Sequence, residues 1–206
     1  MTAIAQICRL APVIPVLVID DAATAAPLAK ALVAGGLPVL EVTLRTPAAL
    51  DAIRAMSDAA PEALVGAGTL RSSADVQAAV AAGARFGVSP GFLPSVLDTA
   101  GEVGLPLLPG VATPSEAMAA AELGLDHLKF FPAEANGGVP VLQAWASPLA
   151  GLSFCPTGGI GIGNAPDYLA LSNVVCVGGS WVAPKAMVAA QDWDGITRLA
   201  AEAAKL

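Results

Sequence analysis

Short, nearly unbroken apolar runs recur along this 206-residue chain, each followed by an alanine-rich stretch with helical spacing. A run that is apolar at successive positions, rather than at every second one, has to be covered on both faces. That is the condition of a parallel strand between layers of helix. The runs occupy residues 13–19, 39–44, 64–68, 85–89, 105–108, 127–131, 153–157 and 174–178, and helical patterns between or after them cover 22–34, 47–59, 73–82, 114–123 and 196–205. Thr113-Pro114-Ser115-Glu116 combines a cap residue, proline at the first helical position and a capping-box glutamate. Gly35-Gly36, Gly83, Gly101 and Gly124 read as helix stops. Eight strands, seven intervening helical segments and a closing helix predict an α/β chain folded as a single (β/α)8 TIM barrel over residues 1–206. Residues 1–10 form a short helix outside the repeats. An open doubly wound sheet is the alternative, and would call for fewer strands or a nucleotide fingerprint.

Composition narrows the partners. Hydrophobic residues make up 55% of the chain and charged residues 13%, which excludes disorder and implies that a second subunit covers part of the surface. A net charge of −7 repels a phosphate backbone, so nucleic acid is not an expected partner. No charge falls between Glu134 and Asp167, yet Gly137, Gly138, Pro140, Pro148, Gly151 and Pro156 break any spanning helix there. The apolar run at 10–19 is too short to span and ends in Asp20-Asp21, with no signal-peptide pattern before it. A cytoplasmic protein away from the membrane is expected. Cys8, Cys155 and Cys176 form no C-x-x-C pair and read as buried, reduced core thiols. No Asp/Glu/His cluster suits a metal, and neither a dinucleotide fingerprint nor a P-loop is present, so no metal or cofactor is expected.

Charges interrupt two of the apolar strands. Alternation along Val39-Leu40-Glu41-Val42-Thr43-Leu44-Arg45 places Glu41, Thr43 and Arg45 on one face and the leucines and Val42 on the other. In a barrel the apolar face meets the helices, so the polar face looks inward, and Arg45 comes at the C-terminal rim where barrel sites are built. The strand at 127–131 repeats the pattern, with His127, Lys129 and Phe131 inward. Burial favours the neutral amine of a lysine, and a neutral amine is what attack on a ketone requires. Lys129 is therefore a candidate Schiff-base nucleophile; the alternative makes Lys129 and Glu41 a structural ion pair. His127, two residues toward the strand start, reads as structural. Thr157-Gly158-Gly159 and Gly178-Gly179-Ser180 close the last two strands, where barrels hold phosphate on bare backbone N–H groups.

These segments carry a specific resemblance. Residues 41–46 (EVTLRT), 65–69 (VGAGT), 89–91 (SPG), 129–134 (KFFPAE), 155–160 (CPTGGI) and 178–181 (GGSW) are similar, in order along almost the whole chain, to the 2-keto-3-deoxy-6-phosphogluconate (KDPG) aldolase family. The segment before Val13 matches poorly. The resemblance implies that Lys129 forms the Schiff base and that Glu41 shuttles protons. It implies that Arg45 and Thr69 hold a pyruvyl carboxylate, that Pro90 and Phe131 form pocket walls and that Thr157 contacts substrate. Gly158, Gly159 and Ser180 fall at the phosphate end. It further implies a homotrimer acting on a phosphorylated keto-deoxy sugar acid, with pyruvate as a product. Rival readings are an aldolase for 4-hydroxy-2-oxoglutarate or for the galactonate epimer, or a non-catalytic barrel that binds a sugar phosphate through Lys129.

Overall fold

The apolar runs form parallel strands and the alanine-rich stretches form helices over them in the computed structural model, which describes residues 2–206. The strands are β1 (Val13–Leu17), β2 (Val39–Thr43), β3 (Leu64–Gly68), β4 (Gly87–Val88), β5 (Leu107–Leu108), β6 (Gly110–Val111), β7 (His127–Phe130), β8 (Ser153–Pro156) and β9 (Val177–Gly179). The helices are α1 (Ala3–Cys8), α2 (Ala25–Ala34), α3 (Ala49–Ala59), α4 (Ser73–Ala81), α5 (Pro94–Glu102), α6 (Pro114–Glu122), α7 (Gly138–Trp145), α8 (Ala165–Leu169), α9 (Lys185–Ala189) and α10 (Trp193–Ala203).

The strands lie in two parallel pieces, ordered β5-β4-β3-β2-β1-β9 and β6-β7-β8. Only Pro109 separates β5 from β6, so the fifth expected strand is present but broken. Proline offers no N–H to a ladder, although its carbonyl still accepts from Lys129 N at 2.8 Å. At the other junction, single bridges Phe154–Val174 and Thr157–Gly178 join β8 to the segment around β9. The sheet is curled: Lys129 on β7 touches Glu41 on β2, strands from different pieces that meet only across a concave face.

Burial divides along the alternation. Leu40, Val42, Leu128, Phe130 and Phe154 join Leu28, Leu32, Ile53 and Leu142 of the helices in one large cluster. Their sequence neighbours Val39 and Cys155 join Ile14, Phe86, Val88, Leu108 and Cys176 in a second cluster, capped by Ile4, Ile7 and Cys8 of α1. The N-terminal helix expected from residues 1–10 thus plugs one end of the concave core. All three cysteines are buried in this plug, as expected, and their mutual contact and burial raise the Cys176 thiol well above its ordinary range.

Local signals held in most places. Thr113 and Glu116 form the full capping box: Thr113 Oγ1 accepts from Glu116 N at 3.3 Å, and Glu116 Oε2 accepts from the N–H groups of Ala112 (2.7 Å) and Thr113 (2.9 Å). Gly101 is a correction. Helix α5 runs through it, and the stop is Gly104 at φ +69°, where Leu105 N bonds back to Ala100 O at 2.8 Å. The left-handed position has to follow the cap residue Val103, and Gly101 comes three residues too early. The segment at 22–34 is also not one helix: a 3-10 turn, Ala22–Thr24, precedes α2.

Glu116→Ala is expected to lose two charge-assisted bonds at the start of α6, about 1–2 kcal/mol, and to lower Tm by about 3–6 °C. A shift indistinguishable from zero in thermal unfolding would mean that other contacts hold this helix start.

Candidate active site

Lys129 and Glu41 stand at the centre of the concave face, each only 3% exposed, with Nζ 3.4 Å from Oε1. Register explains the meeting. Lys129 lies opposite Gly110 on one side and Cys155 on the other, while Glu41 lies between Val16 and Gly66, so both side chains project into the hollow of the curl. Gly68 supplies the space. A Cβ there would overlap the Glu41 carboxylate, so glycine at the end of β3 is what admits an acid at this depth. Gly110 has the same function toward Pro90, whose backbone occupies the place of a Cβ. Nζ of Lys129 lies 5.1 Å from the centre of the Phe131 ring, which covers it on the rim side.

Beyond Phe131 opens a cavity of about 160 Å³ lined by Val16, Val18, Arg45, Phe131, Thr157, Gly158, Gly159, Ile160, Gly178, Gly179 and Ser180. Six of the residues singled out in the sequence therefore share one wall: Arg45, Phe131, Thr157, Gly158, Gly159 and Ser180. Thr69 joins through Arg45, whose Nε donates to Thr69 Oγ1 at 3.0 Å, leaving the outer edge of the guanidinium for a planar anion. Thr69 carries φ +63°, a conformation that a β-branched residue adopts only under constraint, and such outliers collect at ligand sites. Pro90 reaches the site only through Gly110, the register neighbour of Lys129.

The two glycine turns are complementary. Gly158 and Gly159 take φ +102° and +80°, and Gly178 leaves room for the Thr157 hydroxyl, which a Cβ would overlap. Among the described residues, the backbone N–H groups of Gly159 and Ser180 donate to no protein acceptor, so both stay free beside the cavity. An anion can thus be held without a nearby lysine, inside a chain whose net charge is −7.

His127 takes the structural place expected of it. It is buried at the other end of β7, with Nδ1 2.8 Å from Asp126 Oδ1. That hydrogen bond holds the Asp126 carboxyl below its ordinary range. The larger hollows elsewhere, one around Asp20, Lys185 and Gln191 and one around His127 and α1, contain neither Lys129 nor the glycine turns. Gly68 and Gly110 were not read as site residues from the sequence. The available signal was glycine inside or at the end of a strand, which weakens it unless something approaches closely. Among the described residues no group of three or more His, Cys, Asp or Glu side chains is placed to hold a metal ion, and no helix there is long and apolar enough to cross a membrane.

Residues 4–199 match the family model for KDPG and KHG aldolase. The match begins inside α1, so the segment before Val13, which resembled the family poorly, lies largely within it. The chain is 52% identical, over 98% of its length and 95% of the relative's, to the KHG/KDPG aldolase of Escherichia coli (strain K12). Among solved structures it is similar to KDPG aldolase from Legionella pneumophila with pyruvate captured as a covalent carbinolamine intermediate. The TM-score is 0.96 at 45% identity, covering 98% of each chain. A TM-score of 0.94 at 50% identity, covering 98% of this chain and 95% of the other, relates it to the 2-keto-3-deoxy-6-phosphogluconate aldolase of Zymomonas mobilis ZM4 with 3-phosphoglycerate.

A buried ion pair kept for chemistry differs from one kept for stability. Removing one partner strands a charge, whereas removing both need not. Glu41→Leu and Lys129→Met singly are expected to cost about 3–5 kcal/mol, and the double variant to be as stable as the parent or more so. Denaturant unfolding checks this, and a double variant weaker than both singles would make the pair a structural one.

Proposed function

The chain belongs to the KDPG and KHG aldolase family, and from that premise we propose that it cleaves 2-dehydro-3-deoxy-6-phosphogluconate to pyruvate and glyceraldehyde 3-phosphate through an imine on Lys129. The observation that carries the assignment of residues is the Lys129 amine, buried 3.4 Å from a carboxylate and one aromatic ring away from a cavity lined by Arg45 and the two glycine turns. The neutral amine attacks the C2 ketone, and loss of water leaves a protonated imine. The imine nitrogen withdraws electrons, so the C3–C4 bond breaks as the C4 hydroxyl gives up its proton. Glu41 takes that proton, directly or through water, and returns one to C3 of the enamine, after which water adds to the imine carbon and the C–N bond breaks to release pyruvate and the free amine; general acid–base steps of this kind contribute about 10²–10⁴-fold. Arg45, oriented by Thr69, grips the pyruvyl carboxylate. Thr157 touches the chain of the substrate, Pro90 and Phe131 wall the reacting carbons, and Gly158, Gly159 and Ser180 bind the phosphate. With both ends held, C3–C4 stays over the amine. The imine supplies the electron sink, and the scheme uses no metal or other cofactor.

A second substrate has a specific observation behind it, since the Escherichia coli relative is named for KHG as well as KDPG. The shorter 4-hydroxy-2-oxoglutarate fits the same lysine and Arg45 while leaving the glycine turns unused. We also read residues 1–206 as one domain whose curled sheet closes into a (β/α)8 barrel. The support is the continuity of β5 with β6 across Pro109 and the bridges between β8 and the β9 segment. A homotrimer working in the cytoplasm completes the reading. The exposed Met118, which shares a hollow with Pro148 and Leu149, supports a covering subunit.

Pyruvate with borohydride is expected to add a stable mass to Lys129 and to no other lysine. Labelling or substrate cleavage that persists in Lys129→Ala would sink the imine assignment. Glu41→Gln keeps the size and the hydrogen bond but cannot exchange protons. Imine trapping should therefore survive in it, while exchange of pyruvate methyl protons in deuterated buffer, followed by proton NMR, drops by about 10²-fold or more. Exchange at the parent rate would reduce Glu41 to a structural partner.

A further inference from the structure

One carboxylate has no part in that mechanism, although it stands beside the turn assigned to the phosphate. Glu134 is exposed, and a negative charge there opposes anion binding, so its presence needs a reason. Its backbone gives the first part of one. Three consecutive carbonyls of the turn are each taken by an outside donor. Ala133 N bonds Thr157 O at 2.8 Å, Glu134 N bonds Gly158 O at 3.1 Å, and Asn164 Nδ2 bonds Gly159 O at 3.2 Å. In a trans peptide the C=O and the following N–H point in opposite directions. Pinning these carbonyls outward therefore aims the N–H groups of Gly158, Gly159 and Ile160 at the cavity those residues line.

The side chain gives the second part. Tyr168, fully buried on α8, donates its hydroxyl hydrogen to Glu134 Oε1. Two missing side chains admit the pair. A Cβ on Gly159 would overlap the Glu134 stem, and one on Gly138 would lie 2.9 Å from the Tyr168 hydroxyl and 3.1 Å from Glu134 Oε1. Neither Tyr168 nor Glu134 lines the cavity. Burial, followed by the neighbouring Glu134, pushes the phenol pKa upward, so the hydroxyl keeps its proton and stays a donor at any working pH.

We propose that Tyr168 and Glu134 are positioning residues for the phosphate end: the Tyr168–Glu134 hydrogen bond holds Glu134 against the Gly158–Gly159 turn and thereby aims the turn's N–H groups at the substrate phosphate. The inference rests on the phosphate assignment made above, and the test separates the two. In Tyr168→Phe, KM for the phosphorylated substrate should rise about tenfold, because a loosened turn loses aligned donors to a charged group. Its kcat should stay within about twofold, and kcat/KM for 4-hydroxy-2-oxoglutarate should not change. Glu134→Ala removes the same bond from the exposed side and should reproduce this split even if Tyr168→Phe folds poorly. Glu134→Gln keeps an oxygen acceptor for the phenol and should restore KM to near the parent value. Ser180→Ala provides the reference for a group at the phosphate itself. Losses in Tyr168→Phe and Glu134→Ala that fall equally on both substrates, or an unmoved KM in these two when Ser180→Ala raises it, overturn the positioning role alone. If Ser180→Ala also leaves the phosphorylated substrate untouched, the phosphate assignment falls with it.

Discussion

Burying Lys129 and Glu41 together removes the hydration of two charges, and their attraction at 3.4 Å offsets that cost only where both are held in place. Much of the local architecture follows from this demand. The sheet has to curl, because the two residues sit on β2 and β7 and meet only across a concave surface. Gly68 has to lack a side chain so that the carboxylate fits, and Gly110 has to lack one so that the backbone at Pro90 can come close beside the lysine strand. Phe131 places its ring 5.1 Å from the lysine nitrogen and also lines the neighbouring cavity.

The opposite ends of the concave face solve opposite problems. At the end capped by α1, Ile4, Ile7 and Cys8 join Ile14, Phe86 and the other two cysteines in a dry plug, which gives the pair a rigid floor. At the rim, backbone N–H groups and a single oriented guanidinium equip an acidic chain to hold an anion. Local dipoles act over a few ångströms in a partly enclosed cavity, so they outweigh a net charge of −7 spread over an entire surface. The proposed reaction divides along the same line: the groups assigned to covalent and proton-transfer chemistry lie on strands, while those assigned to the substrate's ends lie on turns.

Several of these features were legible because they depend on local rules. Period-two alternation placed Glu41, Arg45 and Lys129 on the inward face, and near-continuous apolar runs indicated parallel strands under helices. The α6 capping box follows from four adjacent residues. Other features were not local. Gly101 and Gly104 look alike in sequence, and which one ends α5 depends on where the last helical turn closes. The break at Pro109 depends on which strand needs an N–H at that position. Thr69 in the left-handed region carries no signature of its own, and the partner of its hydroxyl, Arg45, lies 24 residues earlier.

The sequence by itself determined the class of fold, the polar face of each charged strand and, through its resemblance to an aldolase family, which pair is proposed to react. Those conclusions need only side-chain period, turn chemistry and motif order. Tertiary structure alone decided which groups touch: that Gly68 makes way for Glu41, that Gly178 makes way for Thr157, and that Tyr168 reaches Glu134 behind the Gly158–Gly159 turn. The reason is one of distance. Lys129 and Glu41 are 88 residues apart in the chain and Tyr168 and Glu134 are 34 apart, so no local rule relates them. Only the register and curl of the folded sheet bring them within bonding reach.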